Sequence, residues 1–270
     1  MSRASAKSLA MTSAFRPILP ILVIALSLAP LQVVAAPRNS GAIDHEQQYT
    51  ACMNLAKTRP REAYASANTW YDRGGAEAAQ HCAAIALFGM GQYVEAANQL
   101  ERLADAQPGD RNRLRADLYA QAGQSWLLAN YPDRALVAQG NALALQPNSV
   151  EFLIDRAVTF AGIDRLADAL RDLNRALQIS PRRHDALTLR ATALRLGGQP
   201  AKAAADVEQA IKLNPNYPEA YLERGLQRKA GGQTAHARED FIKVLRLVPE
   251  GSNLAAQVRV QLESSDLKTR

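Results

Sequence analysis

Four prolines set the frame of this chain. Pro147, Pro181, Pro215 and Pro249 recur at one constant interval, and Ala135, Ala169, Ala203 and Ala237 keep the same interval. The stretch from Leu153 to Pro181 reads LIDRAVTFAGIDRLADALRDLNRALQISP. Similar stretches end at each of the other prolines. Self-similarity at a period of about 34 residues constrains the fold more than any single motif does. A unit of this length accommodates two short helices and a turn, and one such pair cannot cover its own apolar face, so successive pairs must stack.

Within the Leu153–Pro181 unit, Leu153, Ala157 and Phe160 recur at helical spacing. Ala169, Leu173, Ala176 and Leu177 do the same. Each set places one apolar stripe on one face of a helix. Ala157 and Ala169 are small where the two helices are expected to cross closely. The reading is all-α: a solenoid of about six antiparallel hairpins, closed by a C-terminal capping helix. The hairpins are placed at 43–76, 77–110, 116–149, 150–183, 184–217 and 218–251, with the cap at 252–267. The first is divergent, with helices expected from a cap at Asp44 and from Pro60, the second stopping at Gly74-Gly75. The interval from Pro108 to Pro147 is longer than the interval between the later prolines. The extra residues, within GDRNRLR, are expected to lengthen the next helix by about a turn or to widen the connection.

The N-terminus has a different composition. Arg3, Lys7 and Arg16 precede an apolar run from Ile18 to Ala29, and LQVVAAP follows. This order reads as a signal peptide over 1–35, cut after Ala35, with a disordered lead-in at 36–42. The run is short for a membrane span. An uncleaved inner-membrane anchor is the alternative. The chain carries +6 overall. Without the three leader bases, 29 basic residues face 26 acidic ones, which is weak for nucleic-acid binding. Export makes Cys52 and Cys82 a candidate disulfide. No metal is expected, because His45, His81, His184 and His236 lack paired helical spacing.

The recurring residues resemble the tetratricopeptide repeat family. Tyr119, Gly123, Trp126, Ala135 and Pro147 carry the resemblance in one unit. Leu153, Ala157, Phe160, Ala169, Leu173 and Pro181 carry it in the next, and Tyr221, Gly225, Ala237, Phe241 and Pro249 in the last. It covers residues 77–249 well and 43–76 weakly. Gln139 departs at a bulky position and Arg228 at an aromatic one. The position usually held by leucine is Arg156, Arg190 and Arg224 in the last three units. Asp172, Asp206 and Asp240 follow them at one fixed offset, whereas Ala122 and Ala138 replace both residues in the third unit. Arginine and aspartate come and go together, so contact between them is expected, within a unit or to its neighbour.

The resemblance implies a right-handed superhelical solenoid with a concave groove lined by the first helix of each hairpin and occupied by a protein or peptide partner. Outward-facing candidates are Gln121, Gln124, Asp155, Thr188, Thr192, Arg195, Glu223 and Lys229. The lysine and asparagine clamp that some family members use for chaperone C-termini is absent. Asp117, Glu151, Asp185 and Glu219 form an acidic series at first-helix starts, where acids favour the helix dipole. No phosphate loop, GxSxG or HExxH occurs. Adjacent His81 and Cys82 point about 100° apart on a helix, which argues against a nucleophile pair. The expected function is a non-enzymatic, exported scaffold of the bacterial envelope, without cofactor, metal or nucleic acid, touching membrane only through an uncleaved leader. The alternative is an envelope enzyme or small-ligand-binding protein that uses the divergent region 43–110.

Overall fold

The computed structural model describes residues 44–266, and the expected leader and lead-in fall outside them. Within this range the chain is a row of helical hairpins: α1 (His45–Thr58) with α2 (Pro60–Trp70), α3 (Ala76–Gly89) with α4 (Tyr93–Asp105), and α5 (Asn112–Leu128) with α6 (Pro132–Leu145). There follow α7 (Val150–Gly162) with α8 (Leu166–Ile179), α9 (His184–Leu196) with α10 (Pro200–Leu213), and α11 (Pro218–Ala230) with α12 (Thr234–Leu247). A last helix, α13 (Asn253–Asp266), closes the row. Among the described residues there is no strand.

Local chemistry sets the helix ends. Asp44 caps α1 by accepting from the Gln47 amide at 3.1 Å, and Ser149 caps α7 by accepting from Phe152. Pro60, Pro132, Pro200 and Pro218 open their helices, where a missing amide proton costs nothing. In five hairpins the turn between the helices uses one left-handed residue: Gly91, Asn130, Asp164, Gly198 and Gly232. The last four keep the same interval as the prolines. Glycine meets this requirement without strain, and Asn and Asp tolerate it better than other side chains.

The GDRNRLR insertion is absorbed by α5, which has 17 residues where α7, α9 and α11 have 13. The first hairpin ends differently. A kink at Tyr71–Gly75, with Arg73 and Gly74 outside helical geometry, joins α2 to α3, and Gly75 lies against the Trp70 ring so closely that a Cβ would fall 2.7 Å from it.

The repeated alanines sit where helices cross. Ala135, Ala169 and Ala203 have no accessible surface and Ala237 almost none. One apolar cluster runs from Leu143 through Leu153, Leu173 and Leu187 to Ala220, so the core is continuous across successive hairpins. Ala255 and Val258 of α13 are buried, with Val258 sharing a cluster with Phe241 and Val244, so α13 covers the last apolar face. From α5 onward the first helices of successive hairpins contact one another, α5 with α7, α7 with α9 and α9 with α11, more than the second helices do. The stack therefore bends toward its first helices, which form the inner wall.

Candidate functional site

Arginine and aspartate lock each of the last three hairpins. Arg156 donates to Asp172 from Nε at 2.7 Å and Nη2 at 2.8 Å. Arg190 does the same to Asp206 at 2.6 and 2.7 Å. Arg224 donates to Asp240 at 2.7 Å from Nη2. Each pair lies within one hairpin, and the three aspartates are buried. Arg228, which replaces an aromatic residue, shares the Asp240 carboxylate at 2.9 Å. Gln139, which replaces a bulky one, is buried and donates to Thr159 Oγ1 at 2.9 Å.

Cys52 and Cys82 are joined in a disulfide with Cα atoms 6.2 Å apart. It ties α1 to α3. His81 is buried and engaged at both ring nitrogens: Nδ1 with Tyr49 Oη and Nε2 with Gln121 Oε1, each at 2.7 Å. Burial lowers the His81 pKa, the Gln121 bond opposing, and desolvation raises that of Tyr49. The neutral ring and the phenol thus link three first helices, α1, α3 and α5. Sequence reading missed this chain of contacts. Polar residues on apolar stripes were its only trace, and their partners lie 32 and 40 residues away.

The expected groove residues separate into three groups. Thr188 and Glu223 were expected to face outward and are instead buried. Thr188 donates to the His184 carbonyl of its own helix. Glu223 accepts from Arg195 Nε at 2.7 Å and Nη2 at 3.0 Å, from Thr192 Oγ1 at 3.0 Å and from Gln227 Nε2 at 3.0 Å. Neighbouring first helices meet at this point, so the side chain closes the junction of α9 with α11. Lys229 is also held, donating to Gln261 and Ser264 of α13. Gln121 is committed to His81.

Asp155 is different. It lies half-buried on α7. Its side chain makes no hydrogen bond or ion pair among the described residues. Desolvation, then the charge of Glu151, pushes its pKa up to about 7, with Arg183 pulling the other way. Arg183 is occupied elsewhere: it bridges Glu151 and Asp185, each at 2.7 Å. Further along the acidic series, Tyr217 Oη and Glu219 Oε2 are buried and unpaired. Burial raises the pKa of Asp117 and of Glu219.

Among the described residues no group of three or more His, Cys, Asp or Glu side chains is arranged to hold a metal. No helix among them is long and apolar enough to cross a membrane.

No protein-family model and no curated protein matches the chain. Solved structures do. The Thermus thermophilus TPR protein TTC0263 matches with a TM-score of 0.57 and 21% identity, covering 71% of this chain and 100% of that one. Pseudomonas aeruginosa PilF matches at 0.55 and 19%, over 72% of this chain and 93% of its own. YrrB, a TPR protein described as having an unusual peptide-binding site, matches at 0.50 and 19%, over 63% and 88%. Identities this low speak to architecture alone. The stacked hairpins, their constant period and these structural matches agree that the chain has the tetratricopeptide-repeat fold.

Proposed function

We propose that this protein is a non-enzymatic scaffold, exported to the bacterial envelope, that holds an extended peptide of a partner protein against its inner wall. One observation carries the reading. At both ends of the wall, side chains bond to each other across helices: Tyr49, His81 and Gln121 at one end, Thr192, Arg195, Glu223 and Lys229 at the other. Between them α5, α7 and α9 leave Gln124 and Asp155 without side-chain partners. A preorganised frame around an uncommitted stretch suits ligand capture, because little ordering is left to be done on binding.

The export half of the proposal rests on the leader's composition and on the disulfide, which an oxidising compartment maintains. YrrB's peptide-binding site supports the peptide half by likeness of fold.

The test is to screen the oxidised protein against a random peptide library and repeat binding with Val158→Trp. Val158 is half-buried, close to one turn beyond Asp155 on the same stripe of α7. Bound peptides should lose affinity at least tenfold. Binding indifferent to this bulky residue, or no binder at all, contradicts the reading. Intact mass of protein purified from its own envelope should begin at Ala36. A retained leader would place the scaffold on the inner membrane instead.

A further inference from the structure

Asp155 and Glu223 occupy one register position, two periods apart. The structure displays what that position binds when it is filled. At Glu223, a guanidinium from Arg195 docks side-on with two bonds, while Thr192 and Gln227 satisfy the remaining lone pairs. Two periods earlier the same supporting positions hold Leu127, Gln124 and Thr159. Leu127 supplies no charge. Thr159 spends its hydroxyl on the Asp155 backbone carbonyl. Gln124 has a neutral amide and no side-chain partner of its own. Asp155 is thus the acid of a complete acid–arginine junction from which the arginine is missing.

Nothing nearby takes the arginine's place. Arg183 sits between Glu151 and Asp185 and already bonds both. Counting Glu151, Asp155 and Asp185 against Arg183, this part of the wall carries two uncompensated negative charges when ionised. The remaining surroundings suit a long cationic side chain. Leu127, Val158, Ala161 and Leu189 are apolar and half-buried on the facing first helices. Lysine and arginine lay their methylene stems along such surfaces and keep the charged head for a polar partner.

We propose that Asp155 receives a lysine or arginine side chain from an extended segment of a partner protein, reproducing between molecules the contact that Glu223 makes with Arg195. This inference rests on the peptide-groove reading above and specifies the chemistry of the occupant. A partly desolvated carboxylate without a partner is costly, and an incoming cation removes that cost while gaining a charge-assisted bond. Desolvation leaves the free carboxyl only partly ionised near neutrality, so binding should also draw a proton off Asp155.

The test uses the oxidised protein and four pools of twelve-residue peptides, identical in random composition and differing at one fixed central residue: Lys, Arg, Gln or Glu. Fluorescence anisotropy at low salt should show the Lys and Arg pools binding about tenfold tighter than the Gln pool, and the Glu pool weakest. Asp155→Asn should bring the Lys and Arg pools level with Gln, and Asp155→Glu should retain the preference. Circular dichroism melts report whether each variant is folded. If the pools bind and Val158→Trp blocks them, but no preference for a cation appears or Asp155→Asn preserves it, this inference is overturned and the groove reading stands. If no pool binds, or binding ignores Val158→Trp, both fall. A dimer in sedimentation that Asp155→Asn dissolves would mean that a second copy supplies the cation, which also overturns a partner peptide.

Discussion

Arg156 and Asp172 meet through two parallel hydrogen bonds across the crossing of α7 and α8, with the aspartate almost fully buried. Tetratricopeptide repeats usually hold leucine at the arginine's position, so the pair replaces an apolar contact rather than adding to one. Removing one partner strands a buried charge, whereas removing both restores the apolar alternative. Arg156→Ala should cost about 3 kcal/mol. Arg156→Leu combined with Asp172→Ala should recover most of that loss. Urea denaturation midpoints of the single and the double variant give the comparison.

The Cys52–Cys82 bridge closes a loop across 30 residues of sequence. The chain-entropy treatment gives about 3–4 kcal/mol for a loop of this length. Reduction should therefore lower the melting temperature. Hydrogen exchange should quicken first in α1, α2 and α3 while α7 to α12 stay protected, because stacked repeats share energy mainly with their neighbours.

Asp155 gives a pH signature of defined sign. Its folded pKa of about 7 lies above the ordinary carboxylate value. The folded state therefore holds a proton that the unfolded chain releases, and stability from this group is full only below the ordinary carboxylate pKa of about 4 and is lost as pH rises from there to about 7. Asp155→Asn escapes the loss. Relative to the natural protein it should be more stable by about 1–2 kcal/mol at pH 8, after allowing for solvent screening, and unchanged at about pH 3, where the carboxyl is protonated in both states. Paired thermal melts at the two pH values measure it.

Two glycines in helices should respond in opposite directions to the same change. A Cβ at Gly225 would fall 2.5 Å from the Phe241 ring, whereas one at Gly140 meets nothing within 4 Å. Gly225→Ala should destabilise by about 1–3 kcal/mol through overpacking. Gly140→Ala should stabilise by about 0.5–1 kcal/mol, since alanine loses less entropy in a helix. Denaturant midpoints decide both.

What the sequence made legible was what repeats. Pro147 to Pro249 and Ala135 to Ala237 reveal the period because the same crossing recurs in each hairpin. Arg156 with Asp172 was readable because three copies covary within one chain. Contacts made once left no such trace. Tyr49, His81 and Gln121 come from three different units, and Lys229 meets α13, which follows the last repeat. Glu223 was misplaced for a related reason. Helical spacing alone does not distinguish an open wall from the junction where the next first helix arrives, and Arg195, which fixes the answer, lies 28 residues away.

The claim on which the rest depends is that the first helices form the wall that meets the partner. Photo-crosslinking residues placed singly at Gln124 on the inner wall of α5 and at Val137, exposed on second helix α6, test it in cells that make the protein. Mass spectrometry should identify a protein adduct at Gln124, competed by excess lysine-bearing peptide, and none at Val137. Adducts at Val137 with none at Gln124 would contradict it.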